Sequence, residues 1–301
     1  MSQTMKIVKS LKSNDGKTTK YLQKTKDGHI IEAGYYNLDE HIICISSQIG
    51  CLMGCVFCAT TAPVDSKKGG LFVRNLTSEE TVQQVKNVIL RLKIDGGLSS
   101  KKILFSYMGM GEPFLNYKNV VDSIKILSKK FPNSRTTIST LGISPGLIKK
   151  LAREKINTLL KLHLSLHAPN NTLRKKILPK SQKIQPALNA LKYFSSIRGV
   201  PATVNYILIK NVNDSQKQAA QLARLLKPYP FKVKLSNLNN FNNMKSSGPN
   251  RFAIFEKTLS SAGIKTDRFF SIGTDVKGGC GQLKRHYYAN KNQSYSPRGQ
   301  K

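Results

Sequence analysis

The chain has 301 residues, of which 49 are Lys or Arg and 16 are Asp or Glu, so its formal net charge is +33. This length allows one large α/β domain or two modest ones, and an apolar share of 39% is enough for a buried core. No apolar run is long enough to span a bilayer, and the N-terminus lacks the apolar segment of a secretion signal. We therefore expect a cytoplasmic protein without a membrane partner.

The excess of positive charge predicts a polyanionic partner. Such a surface attracts nucleic acid over a distance, and its affinity falls steeply as salt is added. A solvated Lys-rich surface that reflects biased composition is the alternative explanation. The charge alone does not say which nucleic acid is bound.

The N-terminal stretch has a basic composition and little apolar pattern. Residues 1–27 carry seven lysines, which predicts a loose basic arm. A short β-hairpin is predicted to follow, with Lys26, Asp27 and Gly28 at its turn and strands at 30–31 and 42–45.

Segments with the periods of helices and strands then alternate along the chain. The first helix is predicted to begin at a capping box formed by Thr77 and Glu80. A βα series of this kind predicts a parallel sheet with right-handed crossovers that forms a barrel or partial barrel, with the chemistry at the carboxyl ends of its strands. The predicted strands lie near 103–108, 136–140, 158–167, 202–209 and 231–236, and the helices near 82–92, 117–127, 145 onward, 186–198, 215–227 and 250–262.

The clearest strand, over residues 158–167, alternates leucines with polar side chains. A polar strand face within a βα series points into a functional interior, so we expect its side chains near the site. That face carries Lys161, His163, Ser165 and His167, and the opposite face carries Leu160, Leu162, Leu164 and Leu166.

The C-terminal segment is basic again. From Val276 to Lys301 it holds six Lys or Arg and no acidic residue, and its last stretch has the composition of a disordered tail. We predict three parts: a basic arm and hairpin over 1–43, a catalytic core over 44–285 and a basic disordered tail over 286–301.

The five cysteines carry the strongest chemical signal. An odd, clustered set in a cytoplasmic protein argues against a framework of structural disulfides. Cys51, Cys55 and Cys58 have C-x3-C-x2-C spacing, and three thiolates on one short loop can hold three irons of a [4Fe–4S] cluster. The fourth iron then stays open for the amino and carboxylate groups of S-adenosyl-L-methionine (SAM), as a radical SAM enzyme requires. A zinc site with Cys44 as fourth ligand is the alternative.

A second signal is the run Gly-Met-Gly-Glu-Pro over residues 109–113, directly after a predicted strand. Glycines permit close backbone approach to a ligand, and the carboxylate of Glu112 can accept hydrogen bonds from an ammonium group. A strand-ending turn often has Gly and Pro for shape only. Behind a three-cysteine loop, however, the run predicts a site for the amino group of SAM.

Together these motifs resemble the RlmN/Cfr family of dual-specificity radical SAM RNA methyltransferases. The resemblance covers roughly residues 20–285, and the motifs follow in the family's order. They are Ser-Ser-Gln-Ile-Gly-Cys at 46–51, Gly-Met-Gly-Glu-Pro at 109–113, Ser-Thr-Leu-Gly at 139–142, Ser-Leu-His-Ala-Pro at 165–169, Val-Asn-Asp-Ser at 212–215 and Gly-Cys-Gly-Gln-Leu at 279–283.

The resemblance implies an α/β fold, a partial (β/α)6 TIM-like barrel of the radical SAM type with a short basic N-terminal extension. It also implies a mechanism with two SAM molecules. Cys280 accepts a methyl group from one SAM, and the radical derived from the second takes a hydrogen from that methyl. The resulting carbon radical adds to an adenine ring. Cys44 then helps to resolve the protein–RNA adduct, which leaves a transient Cys44–Cys280 disulfide.

The resemblance further assigns residues that contact SAM, and a flavodoxin- or ferredoxin-type reductant as electron donor. Glu32 is similar to the family's acidic residue proposed as a proton acceptor, although its distance to Cys44 in sequence is one residue short. Arg174, Lys175 and Lys176 suggest a basic patch for RNA phosphates, or a solvated helix face. The assigned SAM contacts are Gly111, Glu112, Ser139, Ser165, Leu166, His167 and Asn239.

The implied substrate is an adenine of 23S rRNA, tRNA or both, methylated at a ring carbon, which we expect to be C2. The C8 product of the Cfr type, which confers resistance to ribosome-targeting antibiotics, is one alternative. An iron–sulfur or zinc RNA-binding protein without turnover is another. Family members usually carry a helical N-terminal domain, which we expect to be absent or reduced here because the cysteine loop begins at Cys51. We expect no DNA partner.

Overall fold

A computed structural model describes residues 5–61, 72–96, 101–279 and 281–293. Its strands are β1 (Met5–Lys12), β2 (Thr18–Thr25), β3 (Ile30–Asn37), β4 (His41–Cys44), β5 (Gln48–Gly50), β6 (Phe72–Asn75), β7 (Ile103–Tyr107), β8 (Arg135–Thr140), β9 (Leu159–Ser165), β10 (Thr203–Leu208), β11 (Lys232–Asn237) and β12 (Thr266–Phe269). Its α-helices are α1 (Ser78–Ile94), α2 (Tyr117–Lys130), α3 (Pro145–Arg153), α4 (Asn171–Ile177), α5 (Ile184–Arg198), α6 (Gln216–Leu226), α7 (Pro249–Ser261) and α8 (Gln282–Gln293).

Ten of these strands form one sheet, in the order β1-β2-β3-β4-β7-β8-β9-β10-β11-β12. The pairs from β1 to β4 are antiparallel, and every pair from β4 to β12 is parallel. Helices connect successive parallel strands, as the alternating pattern predicts. The predicted partial TIM-like barrel is therefore confirmed, and the short strand β12 extends its parallel part.

The core lies between the parallel strands and the helices that cover them. Leu160, Leu162 and Leu164 of β9 are buried in it, together with the apolar faces of α3 and α5. The other face of β9 contributes His163 and Ser165 to an interior cavity, as its alternation predicts. No helix in the described residues combines the length and the apolar character that crossing a membrane requires.

The loose basic arm predicted for residues 1–27 is wrong over residues 5–25, which form β1 and β2. Lysines stand at every third position of β1, an edge strand whose exposed positions include Lys6 and Lys12. Charged side chains on an edge strand discourage pairing with other chains, so a high lysine content is compatible with a strand. The predicted strands at 30–31 and 42–45 correspond to β3 and β4, which pair antiparallel. The predicted turn at 26–28 connects β2 to β3 instead, so it belongs to the preceding hairpin.

The predicted boundary at residue 286 is also wrong, because residues 286–293 belong to α8. Leu283 anchors this helix by packing against Leu22 and Ile30 of the N-terminal hairpin. The N-terminal strands and the C-terminal helix thus support each other, although they are far apart in sequence. Residues 294–301 of the predicted tail lie outside the described residues.

Polar side chains from the helices fix the start of the cysteine loop. The predicted capping box of Thr77 and Glu80 is present and begins α1. One turn further along, the buried Gln84 accepts a hydrogen bond from Ser46 N at 2.9 Å and donates one to Ser46 O at 2.8 Å. The backbone N–H and C=O of Ser46, just after β4, are therefore both hydrogen-bonded to a side chain of α1.

Replacing Gln84 with Leu leaves two buried backbone groups of Ser46 without partners. We expect Gln84→Leu to lower the free energy of unfolding by about 1–3 kcal/mol. Gln83→Leu is the matched control, because Gln83 is partly exposed and bonds only to Asn87 one turn away; a change within about 0.5 kcal/mol is expected there. Denaturant unfolding of both variants measures the difference, and equal losses would contradict this role of Gln84.

Candidate functional site

A cavity of about 440 Å³ lies at the carboxyl ends of the parallel strands. This is the edge of a βα barrel where functional residues gather. Most of the residues predicted from the sequence meet there. Those that line the cavity are Glu32, Cys44, Cys51, Cys55, Cys58, Gly111, Glu112, Ser139, Ser165 and His167.

Three of the predicted residues are not among those that line the cavity. Leu166 is fully buried in the core, and its carbonyl accepts a hydrogen bond from Arg174 Nε at 3.2 Å. Asn239 does not line the cavity, but its side chain donates at 3.2 Å to Ser271 Oγ, which does. Cys280 lies outside the described residues, between Gly279 and Gly281.

The cysteine loop follows β5 and is folded by its own backbone and by α4. Cys58 N donates to Cys55 O at 3.1 Å. The hydroxyl of Thr61 donates to two carbonyl oxygens of the loop, at 3.1 Å to Cys55 O and at 2.9 Å to Cys58 O. Val56 N donates to Ile177 O at the end of α4, at 3.1 Å. The loop is therefore tied to one short helix.

None of the four described cysteines is in a disulfide bond. Burial raises the pKa of Cys51 to about 12 and that of Cys55 well above its usual value, and the neighbouring thiols add to both shifts. Burial also raises the pKa of Cys44. Without a metal these thiols are protonated at neutral pH, and soft metal ions are what stabilise thiolates in such surroundings.

Three thiols on one wall of the cavity fit an iron–sulfur cluster as a donor set. Within the described residues, no group of three or more His, Cys, Asp or Glu side chains is arranged to hold a single metal ion. Each cysteine of a cluster binds a different iron, so the three sulfurs need not converge on one point. Cys51, Cys55 and Cys58 are the residues that would hold such a cluster.

Glu112 presents a buried carboxylate to the same cavity, with 3% of its surface exposed. Its Oε1 accepts from Thr140 Oγ1 at 2.7 Å and from Phe114 N at 3.1 Å, and its Oε2 accepts from Leu141 N at 2.9 Å. Burial raises its pKa, and these hydrogen bonds oppose that shift. A carboxylate has about four acceptor positions, so roughly one is left for a ligand donor such as an ammonium group.

The glycines before Glu112 allow the chain to approach the cysteine loop. Gly109 N donates to Ile45 O at 3.0 Å, and a Cβ at this position would lie 2.6 Å from that oxygen. Gly111 has φ +102°, where a side chain is strained, and a Cβ there would lie 2.7 Å from the side chain of Gln48. Both glycines are thus required by the close contact.

The ends of β8 and β9 supply the opposite wall. Ser139 Oγ and Ser165 Oγ lie 3.1 Å apart. His167 has a left-handed backbone with φ 54°, and its Nδ1 accepts from Ile207 N at 3.1 Å. Burial lowers the pKa of His167 to about 3, so the ring is neutral with its proton on Nε2. A strained, buried histidine at a strand end is typical of a binding site.

Glu32 is 2% exposed, and it accepts hydrogen bonds from two residues at the start of α8, just after position 280 in sequence. Its Oε2 accepts from Lys20 Nζ at 2.9 Å and from Gly281 N at 3.1 Å, and its Oε1 accepts from Lys284 N at 2.6 Å. Glu32 therefore connects β2 and the start of α8 through hydrogen bonds, in addition to the proton-accepting role that the resemblance implies.

Two residues of the site were missed or misplaced by sequence reasoning. Arg174, predicted as part of a basic surface patch, is 1% exposed and lies inside the fold, so that prediction is wrong for this residue. Lys20, predicted in a loose arm, is a cavity residue paired with Glu32. No local pattern marks either one, because a buried Lys or Arg differs from an exposed one only in its distant neighbours.

Comparisons with known proteins agree with this geometry. The sequence profile of the Radical SAM superfamily matches residues 45–223. A protein of Dictyoglomus thermophilum named as a dual-specificity RNA methyltransferase RlmN is 38% identical over 96% of this chain and 81% of its own length. The chain belongs to the RlmN family of radical SAM RNA methyltransferases.

Other members of the family and a solved structure show the same likeness. An RlmN of Pseudothermotoga lettingae is 40% identical over 94% of this chain and 80% of its own length. The crystal structure of a radical SAM methyltransferase from Sphaerobacter thermophilus has a TM-score of 0.82 at 34% identity, and the match covers 94% of this chain and 82% of that one. The chain is therefore a SAM-dependent RNA methyltransferase of the radical SAM type.

Gly111 provides a test of the close packing at this site. We expect Gly111→Ala to cost about 1–3 kcal/mol of folding free energy, because its positive φ and its contact with Gln48 leave no room for a methyl group. With an iron–sulfur cluster bound, the Gly111→Ala variant should also bind SAM more weakly, because a shift of residue 111 also moves the neighbouring carboxylate of Glu112.

The same substitution at Gly146 is the control, because that glycine lies in α3 with nothing near its Cβ position. Gly146→Ala should leave stability unchanged or raise it by up to about 1 kcal/mol. Denaturant unfolding and equilibrium dialysis with labelled SAM measure the two effects. An unchanged Gly111→Ala variant would show that the turn can move.

Proposed function

We propose that this protein methylates C2 of an adenine in 23S rRNA, tRNA or both, through an S-methylcysteine at Cys280. The observation that carries the proposal is the meeting of Cys44, the three-cysteine loop and Glu112 in one cavity of an RlmN-family chain. RNA methylation with SAM follows from the family; the target adenine, its C2 position and the cysteine intermediate are the proposed part.

Cys51, Cys55 and Cys58 hold a [4Fe–4S] cluster in this proposal. When bound, the cluster supplies the electron that cleaves SAM. Glu112 offers its remaining acceptor position to the ammonium group of SAM. The neutral ring of His167 contributes an N–H donor from the opposite wall. These residues orient SAM within a cavity whose lining is largely apolar, which excludes water from the reacting groups.

Cys280 acts as the methyl acceptor. Its thiolate attacks the methyl carbon of SAM, which forms S-methylcysteine and displaces S-adenosylhomocysteine. Glu32 and Cys44 line the same cavity, and Glu32 accepts from Gly281 N and Lys284 N at the start of α8, the helix that follows Cys280 in sequence. The methyl carbon on Cys280 would lose a hydrogen atom to the radical derived from a second SAM and bond to C2 of the adenine, which would release its C2 proton and return one electron to the cluster. Cys44 Sγ would then attack Cys280 Sγ and break its bond to that carbon, which would take up a proton and become the methyl group of the released RNA. External thiols would reduce the Cys44–Cys280 disulfide.

The net charge of +33 supports an RNA substrate held mainly through its phosphates. A flavodoxin- or ferredoxin-type protein is the proposed electron donor, and its acidic surface would be attracted by the same charge. The proposed place of action is the cytoplasm, where rRNA and tRNA are available.

Nucleoside mass spectrometry of RNA treated with the reconstituted protein and methyl-labelled SAM tests the proposal. We expect labelled 2-methyladenosine in 23S rRNA fragments, tRNA or both. Labelled 8-methyladenosine would favour the Cfr-type alternative. RNA binding without any labelled nucleoside would contradict the proposal and favour an RNA-binding iron–sulfur or zinc protein.

Variants of the two remaining cysteines separate their roles. Cys280→Ala should retain the cluster and SAM cleavage but lose RNA methylation. Cys44→Ala should also retain the cluster and should accumulate protein covalently joined to RNA. Gel electrophoresis under denaturing conditions, with and without ribonuclease, detects that adduct. Clean turnover by Cys44→Ala would remove Cys44 from the mechanism.

A further inference from the structure

Arg174 is a buried cation whose hydrogen bonds all go to backbone oxygens. On α4, its guanidinium donates to Leu166 O at 3.2 Å, Gln182 O at 2.7 Å, Leu141 O at 2.7 Å and Ser165 O at 3.1 Å. These carbonyls belong to the ends of β8 and β9 and to the chain before α5. The side chain therefore joins strand ends on the cavity wall.

The charge of Arg174 has no ion-pair partner near it. Across the ranges that the structure describes, no carboxylate lies within salt-bridge distance of its guanidinium. Leu141 links it to Glu112, because Leu141 O accepts from Arg174 Nη2 at 2.7 Å and Leu141 N donates to Glu112 Oε2 at 2.9 Å, and the charge of Arg174 lowers the pKa of Glu112. An unpaired buried charge is costly, and an arginine stays charged at any ordinary pH. A negative centre in the cavity would balance it.

The helix that carries Arg174 also holds the cysteine loop. Ile177 O accepts from Val56 N at 3.1 Å, and Ile177 packs in the same apolar cluster as Cys51. The guanidinium is thus fixed relative to the thiols by a hydrogen bond and by packing. A charge held in this way acts on whatever the thiols bind.

We infer that Arg174 is the built-in counter-charge of the iron–sulfur site and raises its reduction potential; this inference rests on the proposed function. Three thiolates already bring negative charge into a poorly solvated cavity, and reduction adds one more. A fixed cation stabilises the reduced form more than the oxidised form, because their attraction grows with the negative charge. Arg174 is therefore a positioning and tuning residue that touches neither RNA nor the reacting carbon.

The test is the midpoint potential of the cluster in the reconstituted protein, followed by electron paramagnetic resonance during a dye-mediated titration. Arg174→Gln removes the charge and should reduce the ratio of reduced to oxidised cluster at least tenfold at a fixed potential, a downward shift of about 59 mV for one electron. Arg174→Lys keeps the charge with fewer hydrogen bonds and should stay close to the unaltered protein.

Arg198→Gln is the matched control. Arg198 also donates to backbone carbonyls, at 2.9 Å to Leu151 O and 2.6 Å to Glu154 O. Those carbonyls lie at the end of α3, whereas two of the carbonyl partners of Arg174, Leu141 and Ser165, belong to residues that line the cavity. Its loss should leave the potential unchanged. A loaded Arg174→Gln variant with the original potential would overturn the inference.

If Arg174→Gln does not bind a cluster, its potential cannot be measured, and the Arg174→Lys variant then tests whether the charge of the side chain matters. A loaded Lys variant with a nearly unchanged potential supports the role of charge, whereas loss of the cluster from both variants shows a role in shape alone and overturns the inference. Iron and sulfide analysis of the unaltered protein keeps the two proposals apart. Absence of a cluster there defeats the proposed function, while a normal cluster that is insensitive to Arg174 defeats only this inference.

Discussion

The site depends on a contact between two backbone segments that leaves no space for a side chain. Ile45 O accepts from Gly109 N at 3.0 Å, and Met110 O accepts from Ser47 N at 2.8 Å. This contact continues the parallel pairing of β4 with β7 beyond the strands themselves. Because the cysteine loop begins just after one segment and Glu112 follows the other, this contact joins the two motifs that line the cavity. Glycine at position 109 is the condition for that approach.

Buried polar groups lie near this contact, and burial without hydrogen-bond partners would destabilise them. Glu112 is stabilised by three donors from the chain, and Arg174 by four carbonyl bonds. Fixed, fully bonded polar groups in poorly solvated surroundings exert stronger electrostatic effects than the same groups in water. Such groups support the proposed binding of a cluster and SAM in the interior, whereas the proposed RNA contact relies on the large positive charge of the chain.

The sequence predicted the features that depend on local pattern. The spacing of Cys51, Cys55 and Cys58, the capping box at Thr77 and the alternation along β9 each reflect neighbours a few residues apart. Contacts that span the chain were not predicted, such as the hydrogen bond between Glu32 and Lys284, which are 252 residues apart. Strands β1 and β2 were missed because edge-strand lysines resemble a solvated arm, and Arg174 because its carbonyl partners become neighbours only in the folded barrel.

The most direct measurement of the central claim is peptide mass spectrometry of protein purified without oxygen after growth with methyl-labelled methionine. The account predicts a labelled one-carbon addition on the peptide that contains Cys280, with the peptide that contains Cys44 unmodified. Iron and sulfide analysis of the same sample confirms that the cluster is present. An unmodified Cys280 in protein that carries its cluster and has access to SAM would contradict the methylcysteine mechanism and call for another radical SAM reaction on RNA.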